Sequence, residues 1–419
     1  MEQDSSPQPE RSTTERLFDA ATALFWREGY SATTTREIAA ALGIQQASLY
    51  HHMASKEDLL YRICLASLEP FLVDVPAAVS KIENPLERIR SLIHTHLTIL
   101  LRYQQRNVTF LTELRSLTQR HRAEVLALRD EYEQFSRATL ESAQRTGVIR
   151  EDVPVKYLSL ALMSMLNYAA IWFRKGKGLD AEQLAGIFTK VFLDGAATPG
   201  ARALLTLPDF GAEEKTPVPR IRRTRVAVVD NPALARALAA AVGLFSRKGY
   251  AATSTREVAK LLGIQKASLY YHVESKEDLL FLICQSSLEQ IRNDVELAIR
   301  EIQDPLDRTR TLICSHIESL LRDEDRHSTT FTEMHSLSQG RREQILKLRD
   351  DYEELVRSVL KEAQAAGILR SDVEVKYLCL ILLGLMNRVM VWYRRGGPLS
   401  PNQIGRLLAV IFLSGAATG

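Results

Sequence analysis

The chain has 419 residues, a length that predicts more than one domain. With 46% hydrophobic, 25% charged and 7% aromatic residues, its composition excludes a largely disordered or fibrous protein. The formal net charge of +3 gives no overall signal for a polyanionic partner, so a nucleic-acid site must come from local groups. Four cysteines without CxxC spacing indicate neither a disulfide framework nor a zinc site.

The beginning of the chain is polar and acidic, whereas a signal peptide needs a basic stretch followed by an apolar one. The most apolar stretches, 158–173 and 378–393, are shorter than the roughly 20 residues of a membrane span. They also contain Asn167, Asn387 and Arg388. We therefore expect buried helices, a cytoplasmic location and no membrane partner.

The chain repeats itself. Residues near 12–199 match residues near 232–419 at a constant offset of 220, and 26 of the 40 residues in 27–66 are identical in 247–286. A unit of this size is too long for a solenoid repeat, so two copies of one fold are predicted. The predicted organisation is a disordered tail (1–11), head one (12–62), rear domain one (63–198), a linker (199–230), head two (231–282) and rear domain two (283–419).

No segment shows sustained alternation with a period of two, and helix signals are dense, which predicts an all-α fold. A first helix is closed by Gly29, and Thr34 begins a second helix with the capping-box partner Glu37 three residues later. Gly43 then breaks the chain, and a third helix is predicted from about Gln46 to His52. Copy two repeats each of these signals 220 residues later.

A helix predicted at 152–174 is apolar around most of its circumference and must be covered on several sides. One stripe is expected to face the core of its own copy and the other a partner, so that helices of the two copies could pair. The first stripe is Tyr157, Ala161, Ser164, Tyr168 and Trp172, and the second is Leu158, Leu162, Met165 and Ala169.

The stretch TREIAAALGIQQASLYHH predicts a helix-turn-helix, whose second helix lies in the major groove of DNA. That helix carries amide, hydroxyl and aromatic groups in place of the lysines and glutamates of a passive surface helix. An amide pairs with adenine, and hydroxyl, phenol or ammonium groups contact bases or phosphates.

The segment TTREIAAALGIQQASLYHHMASKEDLL and its repeat resemble the DNA-binding signature of the TetR-type one-component transcriptional regulators. The resemblance covers nearly all of the chain outside the tail and linker, and its front motif is the more specific part. It implies DNA contacts in head one from Thr35, Arg36, Gln46, Ala47, Ser48, Tyr50, His51, His52 and Lys56. It implies DNA contacts in head two from Thr255, Arg256, Lys266, Ala267, Ser268, Tyr270, Tyr271, His272 and Lys276.

Members of that family usually carry one copy per chain and dimerise through their last two helices, so the duplication is a departure. If the copies pack as two subunits would, one chain supplies both recognition helices for operator half-sites one DNA turn, about 34 Å, apart. The heads are unequal: residues 11–60 carry a net charge of −1 and residues 231–280 a net charge of +3. An imperfectly palindromic operator is therefore expected. Arg222, Arg223 and Arg225 form either a minor-groove arm or part of a solvated linker.

The resemblance also implies that each rear domain encloses a small-molecule effector whose binding alters the spacing of the heads. The segments WFRKGKGLDAEQL and WYRRGGPLSPNQI resemble a pattern of regulators of lipid and acyl-CoA breakdown, which implies an apolar effector of lipid or acyl-CoA type. Polar or aromatic groups on apolar helices are either pocket-lining residues or core and interface residues. They are Phe110, Glu113, Asn167, Trp172, Phe331, Glu333, Asn387 and Trp392.

The sequence predicts neither an enzyme nor a bound cofactor or metal. His94 and His96 point to different faces of a helix, and Glu113 and Glu333 recur without a nucleophile or second acid at fixed spacing. The expected function is a ligand-responsive repressor. The alternative is a helical small-molecule-binding or assembly protein whose heads have lost DNA affinity.

Overall fold

The computed structural model describes residues 13–195, 200, 231–271 and 273–415. The predicted tail, nearly all of the predicted linker and the three arginines of the predicted arm lie outside the described residues. The described residues form helices joined by turns, with no β-strand, which confirms the all-α prediction. Both copies follow the same order of helices at the offset of 220.

In its described residues, copy one contains nine α-helices. They are α1 (Thr13–Glu28), α2 (Thr35–Leu42), α3 (Gln46–Leu49), α4 (Lys56–Ser80), α5 (Pro85–Arg102), α6 (Gln104–Glu113), α7 (Gln119–Arg145), α8 (Val155–Trp172) and α9 (Ala181–Asp194).

Copy two contains ten α-helices in its described residues, since its counterpart of α8 is interrupted at Arg388. They are α10 (Pro232–Lys248), α11 (Thr255–Leu262), α12 (Lys266–Tyr270), α13 (Lys276–Ile299), α14 (Pro305–Arg322), α15 (Glu324–Glu333), α16 (Gln339–Ala365), α17 (Val375–Asn387), α18 (Val389–Trp392) and α19 (Pro401–Ser414).

The predicted helix starts are present as hydrogen-bonded caps. The Thr34 hydroxyl accepts a bond from the Glu37 N–H, and the Glu37 carboxylate accepts one from the Thr34 N–H, which completes a capping box. Ser254 and Glu257 repeat this arrangement in copy two. These caps satisfy N–H groups at the first turn of each helix, where no earlier carbonyl is available.

Head one packs together with α6 and the beginning of α7 in one compact unit, which among the described residues comprises 13–72 and 103–131. Its core contains Leu17, Ile38, Leu49 and Ile63, all fully buried, and Val125 of α7 packs into the same cluster. The predicted boundary at residues 62/63 therefore lies inside α4, and the head shares its core with helices assigned to the rear domain.

The other described residues, which lie within 73–102 and 132–415, form a second compact unit in which the two copies meet. There α8 packs on α17, and α9 packs on α19. The rings of Tyr157 and Trp392 lie 6.3 Å apart, and those of their counterparts Tyr377 and Trp172 lie 6.4 Å apart. Of the two stripes predicted on this helix, the one containing Tyr157 and Trp172 therefore faces the other copy.

A glycine lets α8 and α17 approach closely. A Cβ built on Gly384 would lie 2.7 Å from the Cβ of Tyr168, closer than two carbon atoms that are not bonded to each other can approach. Two arginines flank the interface: Arg150 donates to the Gly415 carbonyl (3.2 Å), and Arg370 donates to the Gly195 carbonyl (3.0 Å). The contact between the copies thus combines apolar packing with paired polar bonds at its edges.

Two helical stretches, Lys56–Ser80 and Val375–Trp392, are long and apolar enough to cross a membrane by length and composition alone. Two thirds of the second stretch (67%) is buried inside the protein, where α17 packs on α8. Its apolar character is therefore accounted for by protein contacts.

Candidate nucleic-acid interface and rear-domain site

The turn between α2 and α3 has the geometry of a helix-turn-helix. Gly43 ends α2 with φ of +70°, in the left-handed region that favours glycine, and its N–H bonds back to the carbonyls of α2. The α3 helix ends at Leu49, three residues earlier than predicted, and His51 and His52 lie in the following turn. Leu49 is fully buried and holds α3 on the head, whereas Gln46, Ala47, Ser48, Tyr50 and His51 are exposed.

In head one, a hydrogen bond joins the recognition helix to α2. The Gln46 amide Nε2 donates to the Thr35 hydroxyl at 2.8 Å. This bond orients the amide oxygen and leaves Arg36 exposed beside it. The exposed side chains form the polar surface that the sequence predicts, with Thr35 serving to hold Gln46.

Head two holds its recognition helix differently. The Thr255 hydroxyl lies 3.2 Å from the Tyr270 hydroxyl, and the Lys266 ammonium lies 5.2 Å from the centre of the Tyr270 ring. The hydrogen bond with Thr255 lowers the pKa of Tyr270, and nearby Lys266 acts in the same direction. Thr255 is only 8% exposed and supports Tyr270 through this contact, and its predicted DNA contact remains a prediction.

Tyr271, the counterpart of His51, is 88% exposed and follows directly on the recognition helix. Arg256, Lys266, Ala267 and Ser268 are also exposed, as predicted for a DNA-facing surface. The predicted contact His272 lies outside the described residues.

The two lysines predicted to flank DNA bond to the protein itself. The Lys56 ammonium donates to the carbonyls of Tyr30 (2.8 Å) and Thr33 (2.7 Å) and lies over the Tyr30 ring. Lys276 donates to the Tyr250 carbonyl at 3.0 Å. Burial lowers the pKa of both ammonium groups, opposed by nearby glutamates. Each lysine therefore secures the loop after the first helix of its head, and a phosphate contact remains a prediction.

Glu113 and Glu333, proposed from sequence as ligand-lining groups, bond to the same loop. The Tyr30 N–H donates to Glu113 Oε1 (3.4 Å), and the Tyr250 N–H donates to Glu333 Oε1 (2.8 Å). The Ser116 hydroxyl donates to the other oxygen of Glu113 at 2.9 Å. Both carboxylates are buried and already accept hydrogen bonds from the protein, and a ligand-lining role for them remains a prediction. The sequence offered one signal for this contact: Gly29-Tyr30 and Glu113 in copy one recur as Gly249-Tyr250 and Glu333 in copy two.

A polar trio that sequence reasoning missed is buried inside each rear domain. His96 Nδ1 lies 2.7 Å from the Tyr132 hydroxyl, and His316 Nδ1 lies 2.7 Å from the Tyr352 hydroxyl. Burial lowers the pKa of both histidines to about 3, opposed by a hydrogen bond with Asn167 or Asn387, respectively. These imidazoles are therefore neutral near pH 7. Their shared offset of 220 was the signal that could have identified them.

Asn387 extends its trio to the other copy, because its amide Nδ2 donates to the Tyr168 hydroxyl at 3.5 Å. Asn167 and Asn387, two of the eight residues predicted to line a ligand site, therefore lie beside the buried histidines of the rear domains. No three His, Cys, Asp or Glu side chains in the described part of the chain are grouped to hold a metal ion.

The two tryptophans and the two phenylalanines of the predicted ligand set lie elsewhere. Trp172 and Trp392 contact tyrosines of the opposite copy, so they belong to the interface between copies. Phe110 packs in the core of head one. Phe331 is 37% exposed, since its position matches Leu111 and the inward position of Phe110 is taken by Thr330. Phe331 therefore does not line an enclosed pocket.

Two helix-turn-helix heads, each with an exposed polar recognition helix and a helical rear domain, define a DNA-binding protein of the helix-turn-helix class. The family described as "Bacterial regulatory proteins, tetR family" matches residues 17–63 and 237–283. The family described as "Tetracyclin repressor-like, C-terminal domain" matches residues 83–196 and 303–416. The chain belongs to the tetR family and carries both of its domains twice. Nothing in these matches points to catalysis.

Three individual relatives each cover less than half of this chain. The chain is 28% identical over 184 residues to the HTH-type transcriptional repressor KstR2 of Rhodococcus jostii, covering 44% of this chain and 90% of the relative. The structure of the TetR family regulator PfmR from Thermus thermophilus matches with 35% identity and a TM-score of 0.40, over 42% of this chain and 96% of that chain. AibR, solved with isovaleryl coenzyme A and operator DNA, matches with 28% identity and a TM-score of 0.40, over 43% of this chain and 97% of that chain.

Proposed function

We propose that the chain is a transcriptional repressor in which one polypeptide supplies both recognition helices for a pseudo-palindromic operator. The observation that carries this proposal is the packing of α8 on α17 and of α9 on α19. These are the last helices of each copy, through which members of the family are expected to dimerise. A second chain is then not needed to present the second head. The relative KstR2 is named a transcriptional repressor, which supports repression, rather than activation, for this chain.

The operator half-sites are proposed to differ. Head one presents the Gln46 amide bonded to Thr35, and head two presents the Lys266 ammonium beside Tyr270. An amide favours adenine, whereas an ammonium favours guanine or phosphate. The surplus of positive charge in head two adds to its attraction for the DNA backbone.

The effector is proposed to be a small apolar molecule of lipid or acyl-CoA type that binds in the rear domains. The match of both rear domains to the tetracyclin repressor-like C-terminal family supports this proposal. The buried trios of His96 and His316 supply polar groups in otherwise apolar cores. The effector must bind the DNA-incompetent arrangement better, by about 1–3 kcal/mol of coupling. We expect the protein to act in the cytoplasm.

The decisive experiment is the mass of the protein and of its DNA complex in solution. An operator is first obtained by in vitro selection from random duplexes, and native mass spectrometry then counts chains per duplex. One 47.2 kDa chain per operator supports the proposal, and two chains per operator contradict it. Selected half-sites that are identical and interchangeable would contradict the proposed difference between heads.

A salt titration tests DNA binding itself. If the two heads neutralise about six to eight phosphates, log K falls with log salt at a slope near −5 to −7. A flat response would favour the alternative of a helical binding or assembly protein. For the effector, a series of acyl-CoA esters of increasing chain length is added to the operator complex. A fall in operator affinity of about 5- to 150-fold is expected, and no change with any ester would contradict the effector class.

A further inference from the structure

A groove lies beside head two, where α13 and α16 meet the residues that follow the recognition helix. Its volume is about 450 Å³, within the roughly 300–1,000 Å³ of small-molecule sites. It is separate from the recognition surface and from the buried histidine trio. Its lining residues are Val273, Glu274, Asp278, Phe281, Leu282, Arg341 and Gln344.

Copy one bridges the corresponding place with its own side chains. Arg62 donates to the His52 carbonyl (3.1 Å) and pairs with Asp58 (3.1 Å). The Tyr61 ring stacks on the His121 ring at 3.9 Å, and the Tyr61 hydroxyl donates to Glu124 at 2.6 Å. These bonds join α4, α7 and the end of the helix-turn-helix across the space that is open in copy two.

Copy two lacks the bridging side chains of Tyr61, Arg62 and Glu124 and keeps one bridge between α13 and α16, made by Arg341. Leu282 replaces Arg62 and has no donor, and Phe281 replaces Tyr61 and has no hydroxyl. Gln344 replaces Glu124. Arg341, which replaces His121, pairs with Asp278 and lies 5.5 Å from the centre of the Phe281 ring. The result is an apolar floor in place of a closed polar network.

The rim of the groove is acidic. Glu274 stands where copy one has Ala54, is exposed, and forms no ion pair among the described residues. Glu277 and Asp278 share a single cation, Arg341. The lining therefore combines apolar walls with two carboxylates, Glu274 and Asp278, and one cation, Arg341, a net negative charge among the described residues that is complementary to an apolar ligand with one positive charge.

We propose that this groove binds an apolar organic cation and that the bound cation shifts the DNA affinity of head two alone. Val273 and Glu274 directly follow the recognition-helix turn, so a ligand seated against them contacts the segment that links the helix-turn-helix to α13. The binding step stands independently of the proposed function, and the shift in DNA affinity depends on it.

The two copies supply matched variants for the test. Binding of rhodamine 6G, an apolar cation, is measured by fluorescence anisotropy with the full chain in the absence of DNA. The closing variant F281Y/L282R/Q344E carries the copy-one residues in copy two. The opening variant A54E/Y61F/R62L/E124Q carries the copy-two residues in copy one. Fluorescein, an anion with a similar ring system, tests the role of charge.

We expect one site in the natural chain, at least tenfold weaker binding in the closing variant, and a second site in the opening variant. Binding of fluorescein is expected to be at least tenfold weaker, and E274A is expected to weaken rhodamine binding about two- to fivefold. Circular dichroism checks that each variant folds. If the closing variant is unfolded, dye binding to the opening variant and to E274A still tests the proposal.

Unchanged dye affinity in the folded closing variant, or the absence of a saturable site in the natural chain, would overturn the proposal. The shift in head two is read from a half-site duplex selected for that head, with the head-one half-site as control. An equal shift at both half-sites would overturn the selective effect. If the chain binds no selected operator, the proposed function is contradicted. The proposed cation site is still tested, because dye binding is measured without DNA.

Discussion

Gly195 and Gly415 lie backbone to backbone where the two copies meet. A Cβ built on Gly195 would lie 2.3 Å from the Leu413 carbonyl oxygen, and one built on Gly415 would lie 2.3 Å from the Leu193 carbonyl oxygen. Their φ angles are 75° and 74°, with ψ of 172° and −168°, a region open essentially to glycine alone. The two glycines therefore set how closely the ends of α9 and α19 approach.

Gly195→Ala is expected to push the copies apart and lower the free energy of unfolding. The new methyl group meets backbone atoms that cannot rotate away, so overpacking adds about 1–3 kcal/mol to the cost of the unfavourable φ angle. Urea unfolding of the full chain measures this loss. If one chain binds both half-sites through its two heads, as proposed, affinity for a two-half-site operator is expected to fall more than affinity for one half-site.

The matched control is Gly147→Ala. Gly147 also has a positive φ, of 72°, but a Cβ there would meet nothing within 4 Å. It therefore has a positive φ without the clash. Equal destabilisation by the two substitutions would contradict the view that the Gly195 contact limits the approach of the copies.

The buried histidines predict a pH dependence of stability. The pKa of His96 and of His316 is lowered from 6.5 to about 3 in the folded chain, because burial penalises the charged imidazolium. Between pH 6.5 and 3 the unfolded chain binds a proton at each site that the folded chain does not. The free energy of unfolding therefore falls as the pH falls through this window, by about 1.4 kcal/mol per pH unit for each histidine.

Urea unfolding at pH 7.5, 6.0 and 5.0 checks this prediction by comparing the natural chain with H96Q/H316Q. Other groups also titrate, so the relevant quantity is the difference in slope between the two proteins. We expect the variant to be less stable at pH 7.5 and to lose less stability on acidification. Parallel curves would show that the two imidazoles do not remain neutral in the fold.

Lys56→Met tests whether this lysine acts on the protein or on DNA. Methionine keeps most of the apolar body but removes the bonds from the ammonium to the carbonyls of Tyr30 and Thr33. We expect head one to lose about 1–3 kcal/mol, measured by hydrogen exchange of its amides. The exposed Lys81→Met is the control. Unchanged exchange together with a salt slope shallower by about 1 would identify Lys56 as a phosphate contact alone.

What could be predicted from the sequence is mostly local. The capping boxes of Thr34 and Ser254 depend on residues three positions apart, and both are present as predicted. The bond from Tyr30 to Glu113 joins residues 83 positions apart, and no spacing rule reaches that far. The sequence therefore shows Glu113 as a recurring polar group on an apolar helix, but it does not reveal the bond that Glu113 accepts from the Tyr30 N–H.

The same limit explains the predicted ligand set. Placing Phe331 beside Phe110 ignored a one-residue shift, and one residue on a helix turns a side chain by about 100°. The sequence predicts that one of the two stripes of α8 faces a partner, because both follow the helical period and must be covered. In the structure the stripe of Tyr157 and Trp172 contacts the other copy. Which residue of the other copy covers each position depends on the pairing of α8 with α17, which the sequence of one helix does not contain.

The different recognition helices predict different responses to salt. Lys266 carries an exposed charge, and Gln46 at the matching position of head one carries none. Lys266→Ala is therefore expected to weaken operator binding and to make the slope of log K against log salt shallower by about 1, because one fewer counterion is released. Gln46→Ala is expected to weaken binding by about 1–3 kcal/mol and to leave the slope unchanged, since a base contact releases no counterion. Anisotropy titrations on the selected operator between 50 and 200 mM KCl measure both, and a shallower slope for Gln46→Ala would contradict the base-reading role of the amide.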